Sequence, residues 1–191
     1  MNKIINSYLE NSKKALEAFI CLNKNEILDG ANLIVKSFKK GNKILMCGNG
    51  GSASDAQHFA AELIGRFKKD RESYAAISLN TDTSALTAIA NDYDFSQIFS
   101  RQIEGIGKKG DVLLAISTSG NSENVIKAAI QAKKQKLNII SLTGMNISKL
   151  QNNSDICIKV PSKETCHIQE LHIIVIHLLC VLIENKFFKK S

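Results

Sequence analysis

Five short runs of nearly continuous apolar residues punctuate the chain: Lys43 to Cys47, Tyr74 to Leu79, Val112 to Ser117, Asn138 to Leu142 and Ile156 to Val160. Each is too short for a buried helix and several are rich in β-branched residues, which predicts strands buried on both faces. Between them the apolar positions recur with helical spacing, over about 52–68, 84–106 with breaks, and 122–136. Strand–helix alternation of this kind predicts an α/β fold, a parallel sheet with helices on both faces and right-handed crossovers. Two amphipathic helices, about 3–22 and 25–40, precede the first strand. A last helix, about 167–188, is apolar nearly all round and must be covered on several sides. It is either a central core helix or part of a subunit interface.

Composition narrows the class. A length of 191 residues suits one domain, here 1–191, with enough chain to bury a core without disulfides or structural metals. The formal charge of +7 favours anionic partners, but the lysine pairs are scattered and form no long basic run, which argues against nucleic acid. The five cysteines are odd in number and lack a C-x-x-C pair, so they read as mostly buried free thiols of a reducing compartment. The polar N-terminal turns do not read as a signal peptide. The apolar run Leu171 to Ile183 contains His172 and His177 and is short for a bilayer span. The expectation is a cytoplasmic protein with no membrane partner.

Two loops carry candidate chemistry. The first strand is followed by Gly48-Asn49-Gly50-Gly51-Ser52-Ala53-Ser54-Asp55 and then a helix, which Ser52, Ser54 or Asp55 could cap. Gly48-x-Gly50-x-x-Ala53 satisfies the dinucleotide fingerprint, although Asp82 is a poor candidate for its acidic partner. A tight turn with no ligand fits equally. The third strand is followed by Ser117-Thr118-Ser119-Gly120-Asn121-Ser122 and then a helix. Four hydroxyls exceed the needs of one helix cap, and hydroxyls with free amides at a helix start form a phosphate cradle. On the helices, His58 and Glu62 are spaced i, i+4 on one face, and Gln169 and His177 lie two turns apart on the last helix. Histidines with a carboxylate serve metal binding or acid–base work.

Four segments, CGNGGSASDAQHFAAEL (47–63), LTAIANDYDF (86–95), GDVLLAISTSGNSENVIKA (110–128) and IQELHIIVIH (168–177), resemble in order the bacterial phosphoheptose isomerases of the sugar isomerase (SIS) domain family. The resemblance implies a three-layer α/β/α domain with a five-stranded parallel sheet, extra N-terminal helices that pack in a homotetramer, and conversion of sedoheptulose 7-phosphate to D-glycero-D-manno-heptose 7-phosphate for lipopolysaccharide or capsule. It implies Glu62 and His177 as the acid–base pair. It further implies Ser117, Thr118, Ser119 and Ser122 as the phosphate cradle, Asn49, Gly50, Gly51, Asn91, Asp92, Glu62 and Gln169 as sugar contacts, and one zinc per subunit on His58, Glu62, Gln169 and His177. The family often carries an aspartate before the last helix. Here the segment reads Pro161-Ser162-Lys163-Glu164-Thr165-Cys166-His167, and no role is assigned to Glu164. A related adaptor that binds the replication initiator DnaA keeps the fold without the acid–base pair. The presence of Glu62 and His177 therefore favours the enzyme.

Overall fold

A computed structural model describes residues 1–188 of the chain. The order is α1 (Asn2–Leu22), α2 (Lys24–Phe38), β1 (Ile44–Gly48), α3 (Gly51–Ile64), β2 (Ala76–Ser78), α4 (Thr83–Asp92), α5 (Ser100–Ile106), β3 (Val112–Ser117), α6 (Glu123–Lys134), β4 (Asn138–Gly144), β5 (Ile156–Val160) and α7 (Thr165–Phe188). Short 3₁₀ turns at Phe95–Gln97 and Gln151–Asn153 complete the secondary structure. All five strands are parallel, in the order β2-β1-β3-β4-β5. The strand predictions for Val112–Ser117 and Ile156–Val160 match in both bounds.

Alternation along fully buried strands divides the core in two. Ile44, Met46, Val112, Leu114 and Ile116 face one layer with Ile34 of α2, Phe59 and Leu63 of α3, and Val175 and Leu179 of α7. Leu45, Cys47, Leu113 and Ala115 face the other with Phe99, Ile103 of α5 and Val125 and Ala129 of α6. This is the three-layer α/β/α arrangement. The order reverses between β1 and β3, so their carboxyl ends flank the switch point at which open α/β sheets bind ligands.

Three expectations need correction. The helix after β1 stops at Ile64 rather than near 68, because the amides of Phe67, Lys68 and Lys69 turn aside to the carboxylate of Glu184 in α7, at 3.1–3.2 Å. Neither Ser52, Ser54 nor Asp55 caps that helix; the N-cap is Gly50, at φ 54°, and no side chain bonds there. The last helix is longer than its apolar run suggested: Thr165–Phe187 is long and apolar enough to cross a membrane by length and composition. It nonetheless packs on α2, α3 and β4, with His167, His172 and Glu184 buried against the chain's own groups, as a core helix does. Of the five cysteines, Cys47 and Cys180 are buried, Cys157 and Cys166 half-buried, and Cys21 exposed.

Candidate active site

The loop after β3 is built by its own hydroxyls. Gly120 turns the chain at φ 64°, a conformation that favours glycine. Ser117 Oγ accepts from the Gly120 amide at 3.1 Å and lies 3.1 Å from Ser122 Oγ and 3.4 Å from Ser119 Oγ; Ser119 Oγ accepts from the Asn121 amide at 3.1 Å. Ser122 is the N-cap residue of α6, yet its hydroxyl makes no capping bond and turns to Ser117 instead. A surplus helix cap is therefore not what these hydroxyls form. The Thr118 carbonyl accepts from the Gly144 amide at 2.9 Å, pinning the loop to the end of β4.

The loop after β1 is clasped to this one. Asn49 and Asn124, the latter buried in the first turn of α6, exchange amide hydrogen bonds at 2.8 and 2.9 Å. On the other side, Asn80 after β2 donates to the Gly48 carbonyl at 2.8 Å. Gly51 opens α3 with the Gln169 side chain against it: a Cβ there would sit 2.5 Å from Nε2. Asp82, the weak candidate for a dinucleotide acid, accepts from the Ala85 amide at 2.9 Å as the N-cap of α4. Its carboxylate is thereby committed to a helix start, which removes the support for that reading.

The histidines and the carboxylate meet between α3 and α7. His58 Nε2 is 3.1 Å from Glu62 Oε1, and the His58 ring meets the His177 ring edge-on with centroids 5.2 Å apart. Phe67 stacks on His177 at 5.4 Å. Gln169 lies two turns back along α7, beside Gly51. Asp55 joins the same face of α3, three residues before His58; burial pushes its carboxyl up to about 6, with His58 pulling the other way, and its Oδ2 has no hydrogen-bond partner. Two imidazoles and a carboxylate are donor types that zinc takes, and His58 and Glu62 stand 3.1 Å apart, close to the roughly 3.4 Å between two ligands on one tetrahedral ion; His177 meets His58 through its ring, and the three donors are not gathered within 4.8 Å of one another. Asn91 and Asp92 stand apart from this group. They lie exposed at the end of α4, bonded to each other at 2.9 Å, on a helix with no buried residue.

A buried strut supports the seam. Arg71 and Glu184, both nearly inaccessible, pair at 3.1 Å. The Arg71 guanidinium also donates to the carbonyls of Glu62 at 2.7 Å and Leu63 at 2.9 Å, closing the end of α3 that carries Glu62. The sequence reading missed Asn124, Phe67, Arg71 and Glu184. Asp55 had a signal in its helical register with His58 and Glu62; the others depend on pairings across the fold.

The chain matches a known family: the SIS domain profile fits residues 7–144. The chain is 51% identical over 179 residues to phosphoheptose isomerase of Helicobacter pylori, covering 94% of this chain and 93% of the relative. It is 46% identical to that of Thiobacillus denitrificans, covering 96% and 94%. Phosphoheptose isomerase from Neisseria gonorrhoeae superposes with a TM-score of 0.92 at 41% identity, covering 96% of this chain and 98% of that one. The chain belongs to the SIS domain family, among its phosphoheptose isomerases.

Proposed function

We propose that the protein is an aldose–ketose isomerase that converts sedoheptulose 7-phosphate to D-glycero-D-manno-heptose 7-phosphate through an enediol. The observation that carries this reading is the convergence of His58, Glu62 and His177 from two helices, in a domain whose sheet edge also offers four hydroxyls at a helix start. The name borne by relatives of about half identity supports it. The ketose must lose a proton from C1 while O2 gains one, giving the enediol. O1 then loses its proton and C2 gains one, leaving the aldehyde at C1. Glu62 and His177 exchange these protons, each contributing roughly 10²–10⁴-fold. Ser117, Thr118, Ser119 and Ser122 hold the phosphate, with the start of α6 adding its dipole. Gln169, Asn49, Gly50 and Gly51 position the sugar, and Asn91 and Asp92 bind hydroxyls from the rim.

One zinc per subunit would be held by His58, Glu62, Gln169 and His177; when bound, it supplies Lewis-acid stabilisation of negative charge on the substrate oxygens. The active form is a homotetramer in the cytoplasm, feeding heptose into lipopolysaccharide or capsule. Ile4, Ile5 and Leu9 of α1 are exposed in the single chain and offer an apolar face for a neighbouring subunit. The DnaA-binding alternative is disfavoured by the acid–base pair. Incubating purified protein with sedoheptulose 7-phosphate and following aldose formation tests the reading. Turnover that stops on chelation and returns with zinc is expected; no aldose from zinc-loaded protein overturns it.

A further inference from the structure

The chain entering α7 and its first turn carry a second group of potential ligands, besides the one facing α3. Glu164, Cys166 and His167 place a carboxylate oxygen, a thiol and an imidazole nitrogen all within 4.8 Å of one another. His167 is 2% exposed. Its Nδ1 lies 3.0 Å from Glu170 Oε2 and 3.0 Å from Ser12 Oγ of α1. Tyr8 donates to Glu170 Oε1 and Ser12 to Oε2, so both Glu170 oxygens act as acceptors and Nδ1 is the donor. The other nitrogen, Nε2, is buried with no hydrogen bond, and its nearest carboxylate oxygen, Glu164 Oε2, is 3.6 Å away.

A buried imidazole whose Nδ1–H is held by a carboxylate and whose Nε2 lone pair has no partner is the arrangement found behind metal-ligating histidines. We propose that Glu164, Cys166 and His167 form a second metal site, for a borderline-soft divalent cation of the zinc class. A thiolate and a carboxylate would balance the charge of the ion, and the sulfur ligand disfavours magnesium and calcium. Ligands on one zinc stand about 3.5 Å apart, so the donors must draw together. Glu164, 60% exposed, is free to rotate inward. His167 and Gln169 are two residues apart on the helix and so do not face each other. A bound ion would fasten the start of α7, through the ring partners Ser12 and Glu170, to α1.

Cobalt distinguishes the two sites, because the residues proposed at the α3 seam contain no sulfur. Metal-free protein titrated with Co²⁺ should develop a thiolate-to-cobalt charge-transfer band that saturates at one equivalent of this site. The band should vanish in Cys166→Ser, weaken in Glu164→Gln, and persist in Glu62→Gln. X-ray absorption of the zinc-loaded protein should show one sulfur neighbour on a fraction of the zinc, and serves as the readout if Cys166→Ser fails to fold. Absence of the band and of the sulfur neighbour, or a band undiminished in Cys166→Ser, overturns the site and leaves His167 as a structural contact between Glu164 and Glu170. None of these outcomes depends on isomerase activity.

Discussion

The loop at Ser117–Ser122 and the seam between α3 and α7 occupy one domain but are held together by different means. The loop's hydroxyls are satisfied locally: their bonds join residues within five positions of one another, around a single glycine turn, while its backbone is pinned to the end of β4. The seam is joined across the fold. Glu62 and His177 come from two helices and each meets His58, and the strut behind Glu62 links Arg71 to Glu184, 113 residues later. The hydroxyl geometry is thus written locally, whereas the proposed proton-transfer geometry is a property of the assembled fold. A change at the seam should cost turnover, and a change in the loop should cost affinity.

The largest effect is expected at the seam itself. Glu62→Gln and His177→Gln should each lower turnover at least about a hundredfold, the low end of acid–base contributions, with KM little changed. Steady-state kinetics on variants with an unaltered circular dichroism spectrum checks this, and near-normal turnover would break the contrast. Next comes the strut. Arg71→Met leaves Glu184 charged and buried and should destabilise the chain by about 3–5 kcal/mol in urea titration. Adding Glu184→Leu should not restore stability, because the two side chains also satisfy the amides of 67–69 and the carbonyls of Glu62 and Leu63, which would remain unpaired.

A third effect concerns His172, which fixes α7 to β4 through Nε2 and the Thr143 carbonyl at 3.3 Å. Burial lowers its pKa from 6.5 to about 4, with that hydrogen bond opposing. The unfolded chain therefore binds the extra proton first as pH falls. His172 leaves stability intact above pH 6.5 and erodes it between there and about pH 4, by about 3 kcal/mol in all. Urea midpoints that do not drop over that window more steeply than those of His172→Gln would refute this. The smallest effect belongs to the loop: Ser119→Ala with Ser122→Ala should raise KM about tenfold, the equivalent of one or two neutral hydrogen bonds, at nearly constant kcat. An unchanged KM would remove the phosphate from these hydroxyls.

The same contrast explains what was legible in the sequence. β3 and its hydroxyl loop could be read directly because pattern, glycine and hydroxyls lie side by side. His58 and Glu62 were visible as an i, i+4 pair, and Asp55 could have joined them by the same register. The early end of α3 could not be read, since nothing near Gly65 shows that Glu184 draws away the amides of Phe67 to Lys69. Asn49 could be placed in the loop after β1, but nothing near it shows that its side chain exchanges hydrogen bonds with Asn124, 75 positions on. Among the expected sugar contacts, Asn91 and Asp92 lie on a helix with no buried residue, bonded to each other.

Helix α7 follows every strand in chain order, covers one face of the sheet and carries both Gln169 and His177. On the ribosome, the serine loop and the half of the site on α3 therefore emerge well before their partners. Until α7 is released, the sheet face that it shares with α2 and α3 stays partly uncovered, the kind of apolar surface that chaperones shield and that aggregates when they do not. Gln169 and His177 then join the residues of α3 in the same event that closes the core.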